Sequence, residues 1–556
     1  MKRLNRTLSL AAVMVLTITS VHGQGPQGGR TGAPGAPPAG GRGGVPDGAP
    51  VAGRGGPGRG AAGPAMTTPK ALIPNAKPVR SCESLASVAL PNTTIESAAV
   101  DSANPNVCRV TAVTTHPPLG DKVRIWVAIP TSNWNGRFLG NGGGGFSGGN
   151  AGAVNAPVAA GYAAAATDTG HEGASGSFAL DANGRLNWQS IRNNAHVGIH
   201  EMTVTGKALT QAMYGVAPRY AYFNGCSTGG RQGLSEVQRY PQDYNGVVSG
   251  APAINWDRFT NAHLWGPVVM NAANNPIPAC KLTAATAAAI AACDGIDGVK
   301  DGVIEDPKRC SYDPKALVGT SAGECGAFTE ADANVIRKLW EGPRKADGTF
   351  LWYGLPRGAD MNALYTSRGT PLRPVPFAIA MDWFRYFLTQ DPKFDGNAIT
   401  PEAFERLWDQ ALEQFGSVFA TDNPNLTAFR DRGGKAIVWH GWADQLITAE
   451  GTVDYYNRVQ QQMGGAKKTA EFIRLFMAPG VMHCGGGAGP TPGGQLDALL
   501  AWVEDGKAPE SLVATRPGQN GSPTRTRPVC AYPLVAKYKG SGSTDDAANF
   551  SCSTGF

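Results

Sequence analysis

A Gly-x-Ser-x-Gly pattern at residues 225–229 constrains the fold of this 556-residue chain more than any other feature. The aromatic run "RYAYFN" (219–224) before it has the character of a strand, and "RQGLSEVQRY" (231–240) after it has helical spacing. A serine at a turn from strand to helix is typical of a nucleophile elbow, in which the glycines let both elements approach a strained serine. The pattern predicts Ser227 as a nucleophile, with an ordinary serine in a Gly-rich turn as the alternative.

Strand and helix patterns alternate on both sides of this turn. Further strands are predicted at 123–130, 137–140, 246–252, 435–440 and 471–479, and further helices at 196–215 and 449–463. The alternation predicts a mainly parallel α/β sheet, which together with the elbow indicates an α/β-hydrolase fold. Between residues 252 and 432 the alternation stops, which predicts a large lid domain inserted between two sheet strands. Residues 70–251 and 433–556 are then the catalytic domain.

The first 69 residues differ in composition from the rest of the chain. Residues 1–23 have a basic start, a short apolar run and a small-residue end, as in a secretory signal peptide, which predicts a secreted or periplasmic protein with no membrane attachment after cleavage. Residues 24–69 are almost wholly Gly, Pro, Ala and Arg and predict a disordered linker. Seven basic residues and one acidic residue precede residue 70 and account for the net charge of +6, so the remainder has no basic excess that favours a nucleic-acid partner.

A serine hydroxyl needs a general base, and the base needs an acid to orient it. In the α/β-hydrolase fold the three residues follow the chain order serine, acid, histidine. Asp444 follows the strand candidate 435–440 in "HGWADQL", and His483 follows the last strand candidate in a Gly-rich loop. We therefore predict a catalytic triad of Ser227, Asp444 and His483. His440 is interpreted as a packed or hydrogen-bonding histidine, and a simple turn aspartate is the alternative for Asp444.

Two backbone N–H groups are expected to hold the oxyanion of the reaction. One is that of Thr228, which follows the nucleophile, and the second should come from a Gly-rich loop after an early strand. The stretch "LGNGGGGFSGG" (139–149) fits that description, and Gly143 is the predicted donor, with Gly142 and Gly144 as its nearest rivals. A purely structural glycine loop is the alternative.

Ten cysteines, an even number on a chain predicted to be exported, favour disulfide bonds. Cys226 directly precedes Ser227, and Cys484 directly follows His483. A Cys226–Cys484 bond would tie the serine-bearing turn to the histidine-bearing loop. The alternative of Cys226 as the nucleophile is weaker because an exported thiol tends to oxidise.

The stretch "CDGIDGVKDGVIEDPKRC" (293–310) places three aspartates among three glycines before its EDP segment. Carboxylate oxygens and backbone carbonyls are the ligands that calcium prefers, although the spacing is not that of an EF-hand. This predicts a structural calcium ion in the lid, with a metal-free acidic turn as the alternative. The candidate ligands are Asp294, Asp297 and Asp301 with the carbonyls of Val299 and Val303.

The stretches "GCSTGGRQG", "HGWAD", "HC" and "CDGIDGVKDGVI" together resemble the tannase/feruloyl esterase family over roughly residues 75 to 556. The resemblance implies a Ser–Asp–His triad beside a disulfide and a calcium site in the lid, at the residues named above. It also implies four further bridges: Cys82–Cys108, Cys293–Cys310, Cys530–Cys552 and Cys280–Cys325.

The same resemblance implies a secreted serine esterase that hydrolyses feruloyl or galloyl esters through an acyl-enzyme, without an organic cofactor. The expected partner is a small aromatic ester of plant cell-wall or tannin origin. Hydrolysis of terephthalate half-esters is the alternative within the family, and Thr228 after the nucleophile is less typical of that branch. A non-catalytic binding module and a serine peptidase of the same fold are alternatives from other classes. Candidate walls of the acyl pocket, or else plain core residues, are Trp265, Trp352, Phe377, Trp383 and Phe384.

Overall fold

The computed structural model describes residues 66–518 and 521–555. The predicted signal peptide and most of the predicted linker lie outside the described residues. The linker prediction extends too far at its end, because Met66 packs against an apolar cluster of the folded part and the Thr67 hydroxyl donates to Asp497 Oδ2 at 2.9 Å.

The strands build one large mixed sheet and three small ones. In chain order they are β1 Thr93–Asp101, β2 Asn104–Thr114, β3 Val123–Pro130, β4 Arg137–Asn141, β5 Ala163–Thr167, β6 Tyr220–Cys226, β7 Gly246–Gly250, β8 Ser367–Arg368, β9 Arg373–Pro374, β10 Lys435–Gly441, β11 Ile473–Ala478, β12 Thr491–Pro492, β13 Ser511–Pro517, β14 Pro523–Cys530, β15 Val535–Tyr538 and β16 Phe550–Ser553. The large sheet has the order β1-β2-β3-β5-β4-β6-β7-β10-β11. Its six strands from β5 to β11 are parallel, and β1, β2 and β3 add antiparallel pairings at one side.

The α-helices of the described residues lie mainly between these strands and in the insertion after β7. In chain order they are α1 Asn155–Ala159, α2 Trp188–Arg192, α3 Gly198–Tyr214, α4 Thr228–Arg239, α5 Trp256–Ala262, α6 Trp265–Ala272, α7 Ala279–Cys293, α8 Glu330–Glu341, α9 Asn362–Tyr365, α10 Ala378–Asp382, α11 Pro401–Phe419, α12 Thr427–Asp431, α13 Ala449–Gln462, α14 Ala466–Thr469 and α15 Gln495–Asp505. Together with the mainly parallel sheet they confirm the predicted α/β fold.

The central strands are buried on both faces, as parallel strands covered by helices must be. Neighbouring residues of one strand point to opposite faces, so Phe223 and Val438 pack in one apolar cluster while Tyr222 and Ile437 pack in another. The sheet therefore has an apolar core on each face. These cores fix the strands β4, β6, β10 and β11, whose carboxyl-end loops start from a rigid base. In open α/β sheets this edge is where ligands bind.

Residues 251–434 lie between strands β7 and β10, which are neighbours in the sheet, and carry helices α5 to α12. Two apolar clusters form their interior. One of these clusters also contains Phe146 from the loop after β4 and Ile447 from the loop after β10, so the insertion packs directly onto the carboxyl-end loops of the sheet. Among the described helices, none is both long and apolar enough to cross a membrane.

Candidate active site

The turn from β6 into α4 places Ser227 in a conformation that few residues with a side chain adopt. Its φ is 63° and its ψ is −125°, which is a strained backbone for any residue other than glycine. The turn is tight because Gly225 lies directly against Gly229: a Cβ at Gly225 would come within 2.6 Å of the Gly229 carbonyl group. This geometry is that of a nucleophile elbow.

Backbone hydrogen bonds hold the strained serine in place. The Ser227 N–H donates to the carbonyl of Gly250 at the end of β7, and its carbonyl accepts from the N–H of Ala253, both at 3.0 Å. The Ser227 hydroxyl has no hydrogen-bond partner among the described residues. The strain is therefore supported by the neighbouring strand, and the side chain is left available for chemistry.

Asp444, in the loop after β10, is fully buried and accepts four hydrogen bonds. Its Oδ1 accepts the N–H groups of Leu446 at 2.8 Å and Ile447 at 2.9 Å. Its Oδ2 lies 2.8 Å from His483 Nδ1 and 2.9 Å from His440 Nε2. Burial alone would raise the pKa of this carboxyl, but the charge and hydrogen bonds of the two histidines outweigh it and hold the pKa well below its usual range.

His440, near the end of β10, hydrogen-bonds to Asp444 in the loop that follows. Its Nε2 lies within reach of both Asp444 Oδ2 and the carbonyl of Ile447 at 3.1 Å, and two acceptors require an N–H at that position. Its Nδ1 then accepts from the Thr452 hydroxyl at 2.9 Å. The structure thus gives His440 the hydrogen-bonding role expected from the sequence, and adds that its partner is the catalytic acid candidate.

His483 lies in the loop after β11 with 14% of its side chain exposed. Its Nδ1 donates to Asp444, so Nε2 is the nitrogen left for proton exchange. The backbone N–H of His483 donates to the side-chain oxygen of Gln445 at 3.0 Å, which fixes the loop next to the acid. Sequence reasoning did not identify Gln445, although it directly follows Asp444.

A disulfide joins the two halves of the candidate site. Cys226 and Cys484 are bonded, with their Cα atoms 5.9 Å apart, so the residue before Ser227 is tied to the residue after His483. The other four bridges implied by the family resemblance are formed as well: Cys82–Cys108, Cys280–Cys325, Cys293–Cys310 and Cys530–Cys552. No cysteine of the described chain is free.

Replacing both Cys226 and Cys484 with serine is expected to lower stability and activity together. The bond closes a sequence separation of 258 residues, which in the chain-entropy model is worth about 5 kcal/mol. Activity is expected to fall because the bond also sets the position of the nucleophile relative to the base. Thermal unfolding measures the loss of stability, and ester hydrolysis measured well below the unfolding temperature of the variant measures the loss of activity.

The matched control for this double variant is the replacement of Cys530 and Cys552, whose separation is 22 residues. Its expected cost is about 3 kcal/mol, with kcat unchanged, because this bond lies between strands β14 and β16. Equal kcat values in the two folded variants would contradict a positional role for the Cys226–Cys484 bond.

The Gly-rich loop after β4 lies against the start of α4, but its amides are not arranged as predicted. The N–H of Gly143 donates to Gln232 Oε1 at 2.9 Å, so the predicted oxyanion donor is already engaged. Its rivals are engaged too, Gly142 with the carbonyl of Asn224 and Gly144 with that of Ser147. The prediction of Gly143 is therefore not supported by the geometry.

Of the four consecutive glycines 142–145, Gly145 is the one whose N–H donates no hydrogen bond within the described part of the chain. Its carbonyl accepts the Thr228 hydroxyl at 2.6 Å, which holds it beside the elbow. Thr228 itself is buried and begins α4, so its N–H has no partner within the helix. The sequence does not distinguish among the four consecutive glycines. Their N–H groups differ in their hydrogen-bond partners, and one partner, the Gln232 side chain, is distant in the chain.

Aromatic residues of the insertion cover this loop. The ring of Phe146 stacks on Phe387 with centroids 5.4 Å apart and meets Trp256 edge-on at 5.2 Å. Of the predicted pocket walls, Trp352, Trp383 and Phe384 are buried in the core of the insertion, and Trp265 and Phe377 are partly buried against it. This matches the simpler interpretation of these five residues as packing.

The acidic loop after α7 has the donor atoms that calcium needs, but its three carboxylates do not all converge. Asp294 Oδ1 accepts three backbone N–H groups of the loop, and burial raises the pKa of Asp297, with a further contribution from the charges of Asp301 and Asp294. No described residue donates a hydrogen bond to the carbonyl of Val299 or Val303. These features fit the oxygen ligands of a calcium ion.

Asp301 is turned toward the C-terminal strands. Its Oδ2 pairs with Arg527 at 2.5 Å and with Arg525 at 3.3 Å. The same loop also contacts the base-bearing loop, since a Cβ at Gly480 would lie 2.9 Å from both γ-carbons of Val303. The acidic loop therefore contacts Gly480, which precedes His483 by three residues in the chain.

Comparisons with known proteins agree with this geometry. The family model described as "Tannase and feruloyl esterase" matches residues 108–553. A probable feruloyl esterase of Arthroderma benhamiae is 39% identical over 482 residues, which cover 84% of this chain and 87% of that protein. The mono(2-hydroxyethyl) terephthalate hydrolase of Piscinibacter sakaiensis is 30% identical, covering 78% and 81%. The crystal structure of feruloyl esterase B from Aspergillus oryzae superposes with a TM-score of 0.75 at 28% identity, covering 85% and 99%.

Proposed function

Because this chain belongs to the tannase and feruloyl esterase family and is a carboxylic ester hydrolase, we propose that it is a secreted serine esterase of aromatic esters whose triad is Ser227, His483 and Asp444. The observation that carries the proposal is the chain of contacts at the site. Asp444 is hydrogen-bonded to His483, and the disulfide beside His483 leads to the strained Ser227.

In the proposed mechanism, His483 Nε2 accepts the proton of the Ser227 hydroxyl as its oxygen attacks the ester carbonyl. Asp444 keeps the proton of His483 on Nδ1 and stabilises the imidazolium that forms. His483 then gives its proton to the leaving alcohol, which departs as the acyl-serine forms. Water, activated by His483, cleaves the acyl-serine and restores the enzyme.

The oxyanion of both tetrahedral intermediates needs donors that are free before the substrate arrives. The N–H of Thr228 meets that condition as the first residue of α4. We propose that the second donor is in the loop after β4 and assign it to Gly145, whose N–H donates to none of the described residues, in place of Gly143, whose N–H donates to Gln232.

Feruloyl or galloyl esters are the proposed substrates, because three relatives that are 39%, 32% and 33% identical carry the name feruloyl esterase. The similarity to the terephthalate half-ester hydrolase makes that substrate the second candidate. Product release from methyl ferulate, methyl gallate and a terephthalate half-ester tests the assignment. A preference for the half-ester would contradict it. Turnover of amides but not esters would indicate a peptidase, and no turnover by folded protein would favour a binding module.

Secretion is proposed from the signal-like residues 1–23 and is supported by the five disulfides, which form in oxidising compartments. Expression of the full chain in a secreting host, followed by N-terminal sequencing of the mature protein, tests it. Retention of the initiating segment on intracellular protein would contradict it.

Calcium is proposed as a structural ion held by the acidic loop of the lid: its ligands would be Asp294 and Asp297 with the carbonyls of Val299 and Val303. Asp301 would join them by turning from Arg525 and Arg527 toward the ion. Chelation is expected to lower the unfolding temperature by several degrees, because an ion present at 100 times its Kd stabilises a fold by about 2.7 kcal/mol. Differential scanning calorimetry with and without a chelator measures this.

The variant Asp297→Asn should lose most of this response to calcium, since it removes one ligand charge from a half-buried position. Asp347→Asn, at an exposed turn of the same insertion, is the matched control and should respond as the wild type does. An unfolding temperature that does not change on chelation would rule out calcium as a stabilising ion here.

A further inference from the structure

A second group of ionisable side chains lies behind the nucleophile helix. His200 in the first turn of α3, Glu236 near the end of α4 and Asp243 in the turn before β7 each offer one ligand atom, and these atoms all lie within 4.8 Å of one another. Among the described residues this is the one such group of three. Glu236 is nine residues after Ser227 on α4, about 14 Å along the helix axis, so the group is separate from the proposed triad.

Glu236 is the unusual member of the group. It is 1% exposed, and no N–H or O–H group of the described residues donates to either of its carboxylate oxygens, whose polar neighbour is the carboxylate of Asp243. A buried carboxylate without a partner is costly by several kcal/mol, so such groups normally bind a cation or become neutral. Burial, with the nearby charge of Asp243, raises the pKa of Glu236 well above its ordinary value.

The neighbouring charges do not satisfy Glu236. The positive charge of Lys207 acts on it, but the Lys207 ammonium donates to the backbone carbonyl of Asp243 at 2.9 Å. The Asp243 carboxylate, which is also buried, faces His200, with Oδ2 2.6 Å from Nδ1. The group therefore holds two carboxylates and one imidazole, and among the described residues the neighbouring cation, Lys207, acts on both carboxylates through its charge while its hydrogen bond goes to a backbone carbonyl.

We propose that His200, Glu236 and Asp243 bind one divalent transition-metal ion of the zinc class. One imidazole nitrogen and two carboxylate oxygens form a ligand set that suits zinc better than calcium or magnesium, which prefer oxygen alone. The ion would take the place of the proton between His200 and Asp243 and would neutralise Glu236.

The surroundings of His200 suit a metal ligand. Its ring stacks on Tyr240 with centroids 4.1 Å apart and planes 8° apart, which fixes its orientation as neighbouring groups do for metal-bound histidines. Its side chain is 26% exposed, which gives an ion a path from solvent to the two buried carboxylates. The bound ion would join α3, α4 and the turn before β7.

The test is a zinc titration of protein that has been treated with a chelator and then saturated with calcium, so that the lid loop does not compete. We expect one zinc ion per chain by isothermal titration calorimetry and by elemental analysis after gel filtration. Glu236→Gln should abolish this binding, since it keeps the shape of the side chain and removes its charge. X-ray absorption should show nitrogen and oxygen neighbours at about 2.0–2.2 Å.

Asp257→Asn is the matched control, because Asp257 is another carboxyl of 2% exposure with an unpartnered oxygen, and it lies in the insertion. It should bind zinc as the wild type does. If Glu236→Gln does not fold, His200→Gln, at a partly exposed position, replaces it in the test and should also abolish zinc binding. Failure of the wild type to bind zinc would overturn the proposal, and would leave Glu236 as a protonated carboxyl beside Asp243. Unchanged binding in Glu236→Gln or His200→Gln would also overturn it.

Discussion

Replacing Ser227 with alanine is expected to lower kcat for aromatic esters about 10⁶-fold. Removal of the nucleophile of a serine triad has an effect of this size, and the remaining rate comes from the oxyanion donors and substrate binding. Those groups, including the N–H of residue 228, are kept in the variant. KM is expected to change little, because the hydroxyl makes no contact that holds the ground-state substrate. Steady-state hydrolysis of methyl ferulate, with highly concentrated variant, measures the loss.

Ser235→Ala is the matched control for this change. Ser235 lies on the same helix and is equally small, with a buried hydroxyl that has no hydrogen-bond partner. Its kcat should stay within a factor of about two of the wild type, since no proposed step uses it. A Ser227→Ala enzyme that keeps a tenth of the wild-type rate would contradict the proposed nucleophile.

Replacing Asp444 with asparagine is expected to lower kcat about 10⁴-fold. Four donors point at this side chain, from His440, His483 and two backbone N–H groups. An asparagine has a single acceptor oxygen and presents an NH₂ group on its other side, so the proton of His483 would be driven from Nδ1 to Nε2. The histidine would then lack a free nitrogen for the serine proton, which is the known consequence of this substitution in a serine triad.

The pH profile separates this role from a merely structural one. The pKa of Asp444 is held well below its usual range, so the carboxylate stays ionised at neutral and mildly acidic pH. The decrease of the wild-type rate at acidic pH should therefore not be caused by protonation of Asp444. In Asp444→Asn, the rate should recover in part at alkaline pH, where hydroxide can replace the missing base. A folded Asp444→Asn enzyme with a wild-type rate and profile would contradict the assignment.

The sequence predicted the parts of the fold that carry strong patterns. Strand β3 was predicted with its observed ends, and β4, β6, β7, β10 and β11 within a few residues, because apolar runs between turn residues mark strands buried on both faces. Strand β5 was missed, because its residues Ala163–Thr167 are nearly all alanine and resemble a helix or a loop. Strands β1, β2 and β13 to β16 were also not predicted, since their patterns are half exposed and weaker.

The same division holds at the candidate site. Ser227, Asp444 and His483 follow from position, since each comes directly after a predicted strand at one edge of the sheet. The residues that hydrogen-bond to these three, or to the neighbouring loops, cannot be predicted from position in the chain. His440, Gln445 and Gln232 act through hydrogen bonds to groups that only the fold brings near. In the loop after β4, the N–H of Gly143 donates to one of these side chains, Gln232, which the sequence pattern does not reveal.

The most direct test of the account is labelling with a fluorophosphonate, which reacts with a serine only where a base activates it and an oxyanion site accepts it. After digestion, mass spectrometry locates the label. We expect one label per chain, on Ser227, with ester hydrolysis lost in proportion and with no labelling in His483→Ala. A label on another residue, or full hydrolysis by enzyme labelled at Ser227, would contradict the claim that Ser227 is the activated nucleophile.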